Sequence, residues 1–356
     1  MKQEVYKPSY LFLSRLISFF IAPFFIFIKK NNKKPPFNSD DIKTILISEY
    51  QRIGDFIISA PYINDLKVFY PNAKIIVLVC EGGRGLAREI LNVSEVIECK
   101  IPWVNNNFNL DSLRKFRQFY LFLRGKHIDL SFDFKGDFRN NLFLWLINSN
   151  IRIGYKATGG SYFLTHAYDF PFLKHQSDRA AKLFKNIGIN RQSHISSIAK
   201  NENGKIVLHP GASSNDRVWP SEKWISLIKK LPNLDIVVLV KTRESLNICT
   251  EIINEFNKIE VFEGSLLEFN EWLKSQKILI GMDSMSGHLA AYHNLITITI
   301  FGRQNPNLTK PKSKNGVVVL PSVICSHYKK HWRICWECID SISANKVYEK
   351  LALFIK

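Results

Sequence analysis

The sequence predicts an α/β protein with two domains, each built on a parallel β-sheet, and a membrane-seeking helix ahead of them. The chain has 356 residues, and 46% of them are apolar. That length exceeds what one core usually supports, and that composition is enough to bury two. Short apolar runs alternate with helical patterns in both halves, which is typical of parallel sheets. We predict a membrane-seeking helix and linker at 1–40, domains at 41–190 and 205–342, a polar linker at 191–204 and a terminal helix at 343–356.

The composition narrows the classes of partner. The formal net charge is +18, which favours phosphorylated substrates and acidic lipid surfaces. Because the sequence carries no zinc-finger or RNA-recognition signature, nucleic acid is not expected as a partner. Six cysteines are too few for a disulfide scaffold in a chain of this length, and they favour a reducing compartment.

The N-terminal segment has an affinity for membranes. Residues Tyr10–Ile28 are almost wholly apolar and rich in Phe, and a cluster of lysines follows them. A cleaved signal peptide is not expected, because these lysines stand where small cleavage-site residues should be. Arg15 would cost roughly 2.5–3.5 kcal/mol near the bilayer centre, and Pro23 would kink a spanning helix. We expect a helix that lies in the membrane interface, with the main body in the cytoplasm. A spanning helix and a helix packed on the protein's own core are the alternatives.

The first domain opens with a strand, a helix and a second strand. Thr44–Ser48 is a short apolar strand, Asp55 stands at the start of the following helix, and Lys74–Val79 is the next strand. This order is the seed of a doubly wound parallel sheet. A further strand of this domain is predicted at Asp129–Phe134, and Lys135 follows it directly.

The second domain opens with a strand, a loop and a helix that together suit an anionic ligand. A short apolar run at 206–208 ends at Pro210 and Gly211, and a helix begins about ten residues later. The loop between them carries Ser213, Ser214 and Arg217. Backbone N–H groups, the positive end of the helix dipole and the guanidinium could all converge on a phosphate there. Solvated loop side chains are the alternative.

The same alternation continues through the rest of the second domain. Asp235–Val240, Lys277–Ile280 and Leu295–Phe301 are the predicted strands, and helices are predicted around Ser245–Phe256 and Gly287–Tyr292. The domain is therefore expected to repeat the parallel architecture of the first.

Three stretches of the sequence, taken together, carry a family resemblance. They are RIGDFIISAPYINDLKVFYPNAKIIVLV from Arg52, IVLHPGASSNDRVWPSEKW from Ile206 and GMDSMSGHLAAYHNLITITIFGRQNP from Gly281, with smaller echoes such as DFKGDFRN and HQSDRAAKLFKNIGI between them. This ordered set resembles the heptosyltransferase family of bacterial glycosyltransferases, which transfer a sugar from a nucleotide donor to lipopolysaccharide core or a related surface glycan. The resemblance implies the GT-B fold: two facing Rossmann-like domains, the acceptor on the first, the nucleotide sugar on the second, and the last helix crossing back to the first domain.

The resemblance also implies a chemical role for one residue in each domain. It places Asp55 at the position of the family's general base, which deprotonates the acceptor hydroxyl as that hydroxyl attacks the anomeric carbon. It places Arg217 where a cation stabilises the charge that grows on the departing diphosphate. A plain helix N-cap is the alternative interpretation of Asp55.

The remaining assignments concern the two substrates. The nucleotide-sugar site is expected to comprise Gly211, Ser213, Ser214, Glu244, Asp283, Ser284 and His288. Helix capping by Asp283 or Ser284 and a core position for His288 are the alternatives. Lys135 and Arg139 stand where the family carries cations for phosphorylated acceptors, and ordinary surface charge is the alternative for both. Met285 replaces a residue that is usually small in the family, which leaves the donor sugar open.

Three cysteines near the C-terminus raise the question of a metal. Cys325, Cys335 and Cys338, with His327 and His331 close by in sequence, invite a zinc interpretation. Only the last two cysteines form a CxxC pair, no second well-spaced pair exists, and the resembled family is not known for needing a metal. We therefore expect no metal, and no cofactor besides the donor substrate.

The sequence thus predicts a metal-independent, inverting glycosyltransferase on the cytoplasmic side of the inner membrane. Its partners would be a nucleotide sugar, for which the family suggests ADP-heptose, and an anionic glycolipid acceptor such as lipopolysaccharide core. One alternative is a nucleotide-sugar epimerase of the same fold. The other is a membrane-bound glycan-binding protein that has kept the fold and lost the chemistry.

Overall fold

The architecture is that of a computed structural model, which describes residues 5–25, 33–104, 106–190, 203–302, 304–322, 325 and 335–355. The chain divides between Ser193 and His194 into two compact units. This division falls within the linker predicted at 191–204, of which only the last two residues lie in the described ranges.

The first unit is built on a six-stranded sheet in which all neighbouring strands are parallel. Its helices are α1 (Pro8–Ile21), α2 (Ile53–Phe69), α3 (Arg84–Ile90), α4 (Leu110–Arg124), α5 (Phe138–Leu146) and α6 (Gln176–Lys185). Its strands are β1 (Thr44–Glu49), β2 (Lys74–Val79), β3 (Glu95–Glu98), β4 (Leu130–Asp133), β5 (Ile151–Tyr155) and β6 (His166–Tyr168). The strand order is β3-β2-β1-β4-β5-β6.

The second unit repeats this plan with a second six-stranded parallel sheet. Its strands are β7 (Ile206–His209), β8 (Val237–Val240), β9 (Glu260–Phe262), β10 (Ile278–Met282), β11 (Ile296–Ile300) and β12 (Val317–Val319). Its helices are α7 (Ser221–Ile228), α8 (Leu246–Glu255), α9 (Leu266–Leu273), α10 (Met285–Tyr292), α11 (Pro306–Thr309), α12 (Trp336–Asp340) and α13 (Ala344–Leu351). The strand order is β12-β11-β10-β7-β8-β9.

Short 3-10 turns complete the described structure. They are Ala22–Phe25, Ser39–Asp41, Ser161–Phe163, Asn215–Arg217, Leu234–Ile236 and Arg243–Ser245.

The central strands form because their residues are apolar on both faces of the sheet. Ile45, Leu46 and Ile47 of β1 are fully buried, and so are Leu279 and Ile280 of β10. A strand of this kind needs helices on both sides to exclude water, which is the arrangement that alternating strands and helices produce.

Each sheet reverses its strand order at one place, and that place locates the site. The reversal lies between β1 and β4 in the first unit and between β7 and β10 in the second. Ligands of open α/β sheets bind outside the carboxyl ends of the strands at such a reversal. The residues that follow these four strands are therefore the ones of interest for function.

The predicted elements are present, with small differences at their ends. For example, the strand predicted at Asp235–Val240 begins as a 3-10 turn and is a strand only over Val237–Val240. Strands β3, β5, β6, β9 and β12 were not predicted. Four of them have only three or four residues, which is too short a pattern to recognise, and the five-residue β5 is interrupted by Arg152 and Gly154.

The C-terminal helix was expected to cross back to the first domain, but α13 packs within the second unit, against α7, β11 and β12. Val347 and Leu351 are fully buried in the same hydrophobic core as the strands of that unit. The apolar face of this helix is thus covered by its own unit, where its burial contributes to stability.

Helix α1 packs on the first unit through polar contacts. Arg15 donates hydrogen bonds of 3.1 and 2.9 Å from Nε and Nη2 to the Ala157 carbonyl, and the Gly160 N–H donates to Ser18 Oγ at 2.8 Å. Gly159 has a φ of +111°, and a Cβ there would lie 2.5 Å from the Ser18 Cβ, so only glycine allows this approach. Arg15, whose charge would be costly inside a bilayer, is therefore bound by a backbone carbonyl of the first unit.

The apolar face of α1 points away from the unit. Its exposed side chains include Phe12, Phe19 and Phe20, which are 70%, 73% and 64% exposed. Residues Pro8–Phe25 are long and apolar enough to cross a membrane by length and composition, and only 11% of this stretch is buried. The helix is thus amphipathic, but its polar face is the buried one, with Ser14 and Ser18, and its apolar face is exposed. A core helix has the opposite arrangement.

Candidate active site

In the first unit, the predicted base Asp55 lies in a cluster at the carboxyl end of β1. It stands in the first turn of α2, where its side chain is 16% exposed. Its Oδ1 is 3.0 Å from Lys135 Nζ and accepts a 2.8 Å hydrogen bond from Gln176 Nε2. Burial alone would raise the pKa of Asp55, but the Lys135 ammonium and the Gln176 amide outweigh it and lower this pKa below its ordinary value. The carboxylate is therefore ionised at neutral pH and ready to accept a proton.

The loop after β4 holds Lys135 in place. Asp133 ends that strand, and its carboxylate accepts hydrogen bonds from the Gly136 N–H at 2.6 Å and from Asn140 Nδ2 at 2.8 Å. Gly136 has a φ of +70°, and a Cβ there would lie 2.7 Å from the Tyr155 Cβ. Because β1 and β4 are adjacent and parallel, their carboxyl ends bring Lys135 to Asp55.

A second carboxylate, Glu49, lies behind this pair and was not predicted. It is the last residue of β1 and is fully buried, with Oε2 at 3.8 Å from Lys135 Nζ and Oε1 accepting a 3.0 Å hydrogen bond from Ser59 Oγ. Burial raises the pKa of Glu49 to about 7, against the attraction of Lys135. The protonation of Glu49 thus changes the charge around Lys135 in the neutral range.

We expect Glu49→Gln to change the pH dependence of stability. Since burial raises the pKa of Glu49 from 4.5 to about 7, the folded state keeps a proton that the unfolded chain has lost between these values. The stabilisation is complete below pH 4.5, falls as the pH rises and is lost above pH 7. Between these limits the wild type should lose about 3 kcal/mol of unfolding free energy relative to Glu49→Gln, since one pKa unit corresponds to about 1.4 kcal/mol. Urea unfolding at a series of pH values measures the unfolding free energy of both proteins, with Glu98→Gln at an exposed position as the control. Parallel curves of unfolding free energy against pH for the wild type and Glu49→Gln would contradict the prediction.

Arg139 was predicted to bind the acceptor, which stays a prediction, and in the structure it contacts two other side chains of the first unit. Its Nε and Nη2 form a bidentate pair with Asp137, at 2.9 and 3.0 Å. The ring of Tyr10 from α1 covers the guanidinium at 5.0 Å, and the Tyr10 hydroxyl donates to Asp137 at 2.9 Å. The contacts of Arg139 therefore join α1 to the start of α5, and Lys135 is the cation that the structure brings to Asp55.

In the second unit, Arg217 and Asp283 meet at the carboxyl ends of β7 and β10. Arg217 ends the 3-10 turn in the loop after β7, and its Nη1 is 3.5 Å from Asp283 Oδ2. The same carboxylate oxygen accepts a 2.8 Å hydrogen bond from Gln304 Nε2. The adjacent parallel strands β7 and β10 bring the two predicted residues together, and Gln304 is an addition that was not predicted.

Gly211 allows the loop after β7 to approach its neighbour closely. A Cβ at this position would lie 2.9 Å from Thr242 Oγ1 and 3.4 Å from His209 Cε1. His209 is buried at the end of β7, and burial lowers its pKa to about 4. His209 is therefore neutral at physiological pH, consistent with a structural role at the strand end.

The other predicted donor-site residues surround the same carboxyl edge. Ser213 is exposed and Ser214 half-buried in the loop before Arg217, while Glu244 is exposed in the 3-10 turn after β8. Ser284 occupies the N-cap of α10, with its hydroxyl 2.8 Å from Ser286 Oγ, and His288 is buried within that helix. Ser284 thus stands at the N-cap position without capping the helix through its side chain, His288 has the buried position of the alternative, and the roles of both toward a donor remain predictions.

Two unpredicted site residues carried a signal in the sequence. Glu49 is a carboxylate that directly follows a buried apolar run, and such a group needs a partner. Gln176 lies in the stretch HQSDRAAKLFKNIGI, which resembled the family without an assigned role. His327 and His331 lie outside the described residues.

Comparisons with known proteins bear on this geometry. The sequence profile of glycosyltransferase family 9 (heptosyltransferase) matches residues 116–334, which is more than half of the chain. No curated protein sequence matches the chain significantly.

Several solved structures share the fold. The E. coli heptosyltransferase WaaC with ADP has 20% identity and a TM-score of 0.71, with 87% of this chain and 99% of that chain covered. The same enzyme with ADP-2-deoxy-2-fluoro heptose has 19% identity and a TM-score of 0.70, with 87% of this chain and 99% of that chain covered. The E. coli ADP-heptose lipopolysaccharide heptosyltransferase II has 20% identity and a TM-score of 0.67, with 88% and 98% covered. These likenesses confirm the predicted α/β fold of the GT-B type, and the family profile shows that the chain belongs to glycosyltransferase family 9, the heptosyltransferase family.

Proposed function

We propose that this protein is an inverting glycosyltransferase that transfers heptose from ADP-heptose to an anionic glycolipid at the cytoplasmic face of the inner membrane. The observation that carries the proposal is the Asp55 cluster: an ionised carboxylate at the strand-order reversal, held by Lys135 and Gln176 and still 16% exposed. A general base needs a carboxylate whose orientation is fixed and which a substrate hydroxyl can still reach.

In the proposed reaction, Asp55 takes the proton of an acceptor hydroxyl. The oxygen of that hydroxyl forms a bond to the anomeric carbon of the donor as the bond from that carbon to the diphosphate oxygen breaks. The proton ends on Asp55, and the electron pair of the broken bond leaves with the nucleoside diphosphate. Because attack and departure occur on opposite sides of the carbon, the configuration inverts. Lys135 keeps Asp55 oriented and can meet a phosphorylated acceptor.

The second unit would hold the donor and receive the negative charge of the leaving group. Arg217 is a fixed cation at the carboxyl edge of the sheet, and the N-terminus of α10 directs backbone N–H groups to the same edge. Asp283 and Gln304 would orient the sugar hydroxyls through their carboxylate and amide. Support for an adenine nucleotide comes from the solved heptosyltransferase that holds ADP and a fluorinated ADP-heptose.

A lipid-linked acceptor is supported by α1. The helix is tied to the first unit by its polar contacts and exposes a row of phenylalanines to the outside. Such a face gains free energy by entering the membrane interface, and the net charge of +18 attracts anionic headgroups. The catalytic unit would then lie close to the lipid-bound acceptor.

The experiment that tests the donor site is a thermal-shift titration of the full chain with ADP, UDP, GDP and CMP. A ligand at a hundred times its dissociation constant stabilises by about 2.7 kcal/mol, which corresponds to roughly 5–10 °C for a unit of this size. We expect ADP to produce this shift and Arg217→Ala to abolish it, because the guanidinium contacts the diphosphate.

The control is Lys258→Ala, which removes one exposed positive charge from the loop before β9, at the opposite edge of the sheet. This variant should keep the full ADP shift. A shift with another nucleotide alone would overturn the assignment of ADP-heptose. If none of the four nucleotides shifts the melting temperature, the proposed transferase activity is overturned and the glycan-binding alternative is favoured.

A further inference from the structure

Three cysteine side chains converge at the C-terminal end of the second unit. Cys335 is the N-cap residue of α12, Cys338 lies within that helix, and Cys325 lies ten residues earlier in the chain. Their sulfur atoms all lie within 4.8 Å of one another, with Cys335 and Cys338 buried and Cys325 half-buried. The CxxC spacing supplies two of the sulfurs from one helical turn, and Cys325, earlier in the chain, supplies the third.

This spacing is close to that of a thiolate metal site. Four-coordinate zinc with Zn–S bonds of about 2.3 Å places neighbouring sulfurs about 3.8 Å apart. The three sulfurs therefore need to close by at most about 1 Å to share one ion. A disulfide would use only two of them, whereas a metal ion uses all three.

A fourth ligand is available beside the cysteines. The Glu337 carboxylate lies 2.9 Å from Cys335 Sγ, and carboxylate oxygen is an accepted zinc ligand. A water molecule can fill the same position. Three soft thiolates favour zinc over the hard cations that prefer oxygen ligands, such as magnesium and calcium.

The cluster is joined to the donor-site loop. Helix α12 packs against the 3-10 turn Asn215–Arg217, and Trp219 Nε1 donates a 2.9 Å hydrogen bond to the Ile342 carbonyl in the core. Gly302 lies against α12 so closely that a Cβ there would be 2.6 Å from Ile339 Cγ1. A metal ion at the cysteines would thus fix a helix that supports the turn carrying Arg217.

We propose that Cys325, Cys335 and Cys338 bind one structural zinc ion, which fixes α12 against the turn that carries Arg217. The three thiols lose their protons on binding, and zinc takes the resulting thiolates as ligands without any change of oxidation state. This site is separate from the proposed transfer chemistry and does not depend on it. It revises the expectation from sequence that the chain holds no metal.

The test is the zinc content of the purified, reduced full chain, measured by inductively coupled plasma mass spectrometry. We expect about one zinc per chain in the wild type, and a loss of at least tenfold in the Cys335→Ser, Cys338→Ser double variant. The control is Cys249→Ser, which removes a buried thiol of α8 in the same unit and should keep the zinc. Full zinc content in the double variant would overturn the proposal.

Two measurements on the wild type keep the test decisive if the double variant fails to fold. A zinc chelator should lower the melting temperature by roughly 5 °C or more, and added zinc should restore it. Cobalt added to the chelated chain should give the thiolate charge-transfer bands and intense visible bands of a tetrahedral site. Absence of both the shift and the bands would overturn the proposal, and so would a Cys335–Cys338 disulfide in the chain as isolated without reductant.

Discussion

Asp55→Asn is expected to lower the turnover of glycosyl transfer by about 10²–10⁴-fold, because a general base contributes on that order. An asparagine oxygen can still accept the hydrogen bond from Gln176, so the side chain should keep its place. The variant loses the ability to take the acceptor proton and the ion pair with Lys135. Turnover is measured with ADP-heptose as donor and a lipopolysaccharide-core acceptor, and donor affinity by the ADP thermal shift.

The control for this experiment is Asp111→Asn, which removes an exposed carboxylate from the first turn of α4. Asp111, like Asp55, stands in the first turn of a helix, so capping and dipole effects are matched. The control should keep wild-type turnover, and both variants should keep the ADP shift. Near-normal turnover in Asp55→Asn would show that this residue is a helix-capping group and that another residue acts as base.

The central strands of both sheets were accessible from sequence because buried parallel strands leave a clear pattern. The run Ile75–Val79 is wholly apolar, and Leu295–Phe301 is interrupted only by Thr297 and Thr299, so both favour a buried strand whichever strand they pair with. The half-buried edge strand β9 has three residues, and whether it forms depends on its pairing with β8. The sequence does not record such pairing.

The site was only partly accessible, since the family resemblance identifies positions and the structure identifies partners. Asp55 and Lys135 were predicted separately, as base and acceptor cation, although their side chains form one ion pair. Arg139 belongs to the same charged stretch, yet it turns to Asp137 and Tyr10. Which of two nearby cations reaches a carboxylate depends on loop geometry, here on Gly136 and its positive φ.

For helix α1, too, the sequence predicted the type of element but not its contacts. Its composition indicates affinity for a membrane, but composition alone does not say which face is exposed. Serines at positions 14 and 18, four residues apart, mark one polar face, and they are the buried residues of the helix. In an ordinary core helix these serines would face solvent, so only the structure could show that the apolar face is the outer one.

The exposed apolar face of α1 gives the second large effect. Fully burying a phenylalanine gives about 1.5–3 kcal/mol, and partial immersion in the interface roughly 1 kcal/mol. Replacing Phe12, Phe19 and Phe20 by serine should therefore cost about 3 kcal/mol, which weakens partition about a hundredfold. The variant should keep its fold, because these side chains are exposed and the contacts of Arg15 and Ser18 are unchanged.

Partition is measured by sedimentation of the full chain with vesicles that contain anionic phospholipid. The matched control is Val68→Ser, Leu267→Ser, Leu353→Ser, which removes three exposed apolar side chains from parts of the chain other than α1 and should bind as the wild type does. Equal binding of wild type and the α1 variant would contradict a membrane role for this face. If the wild type is instead a dimer without lipid, and the α1 variant a monomer, a second copy of the chain covers the face and the membrane proposal is overturned.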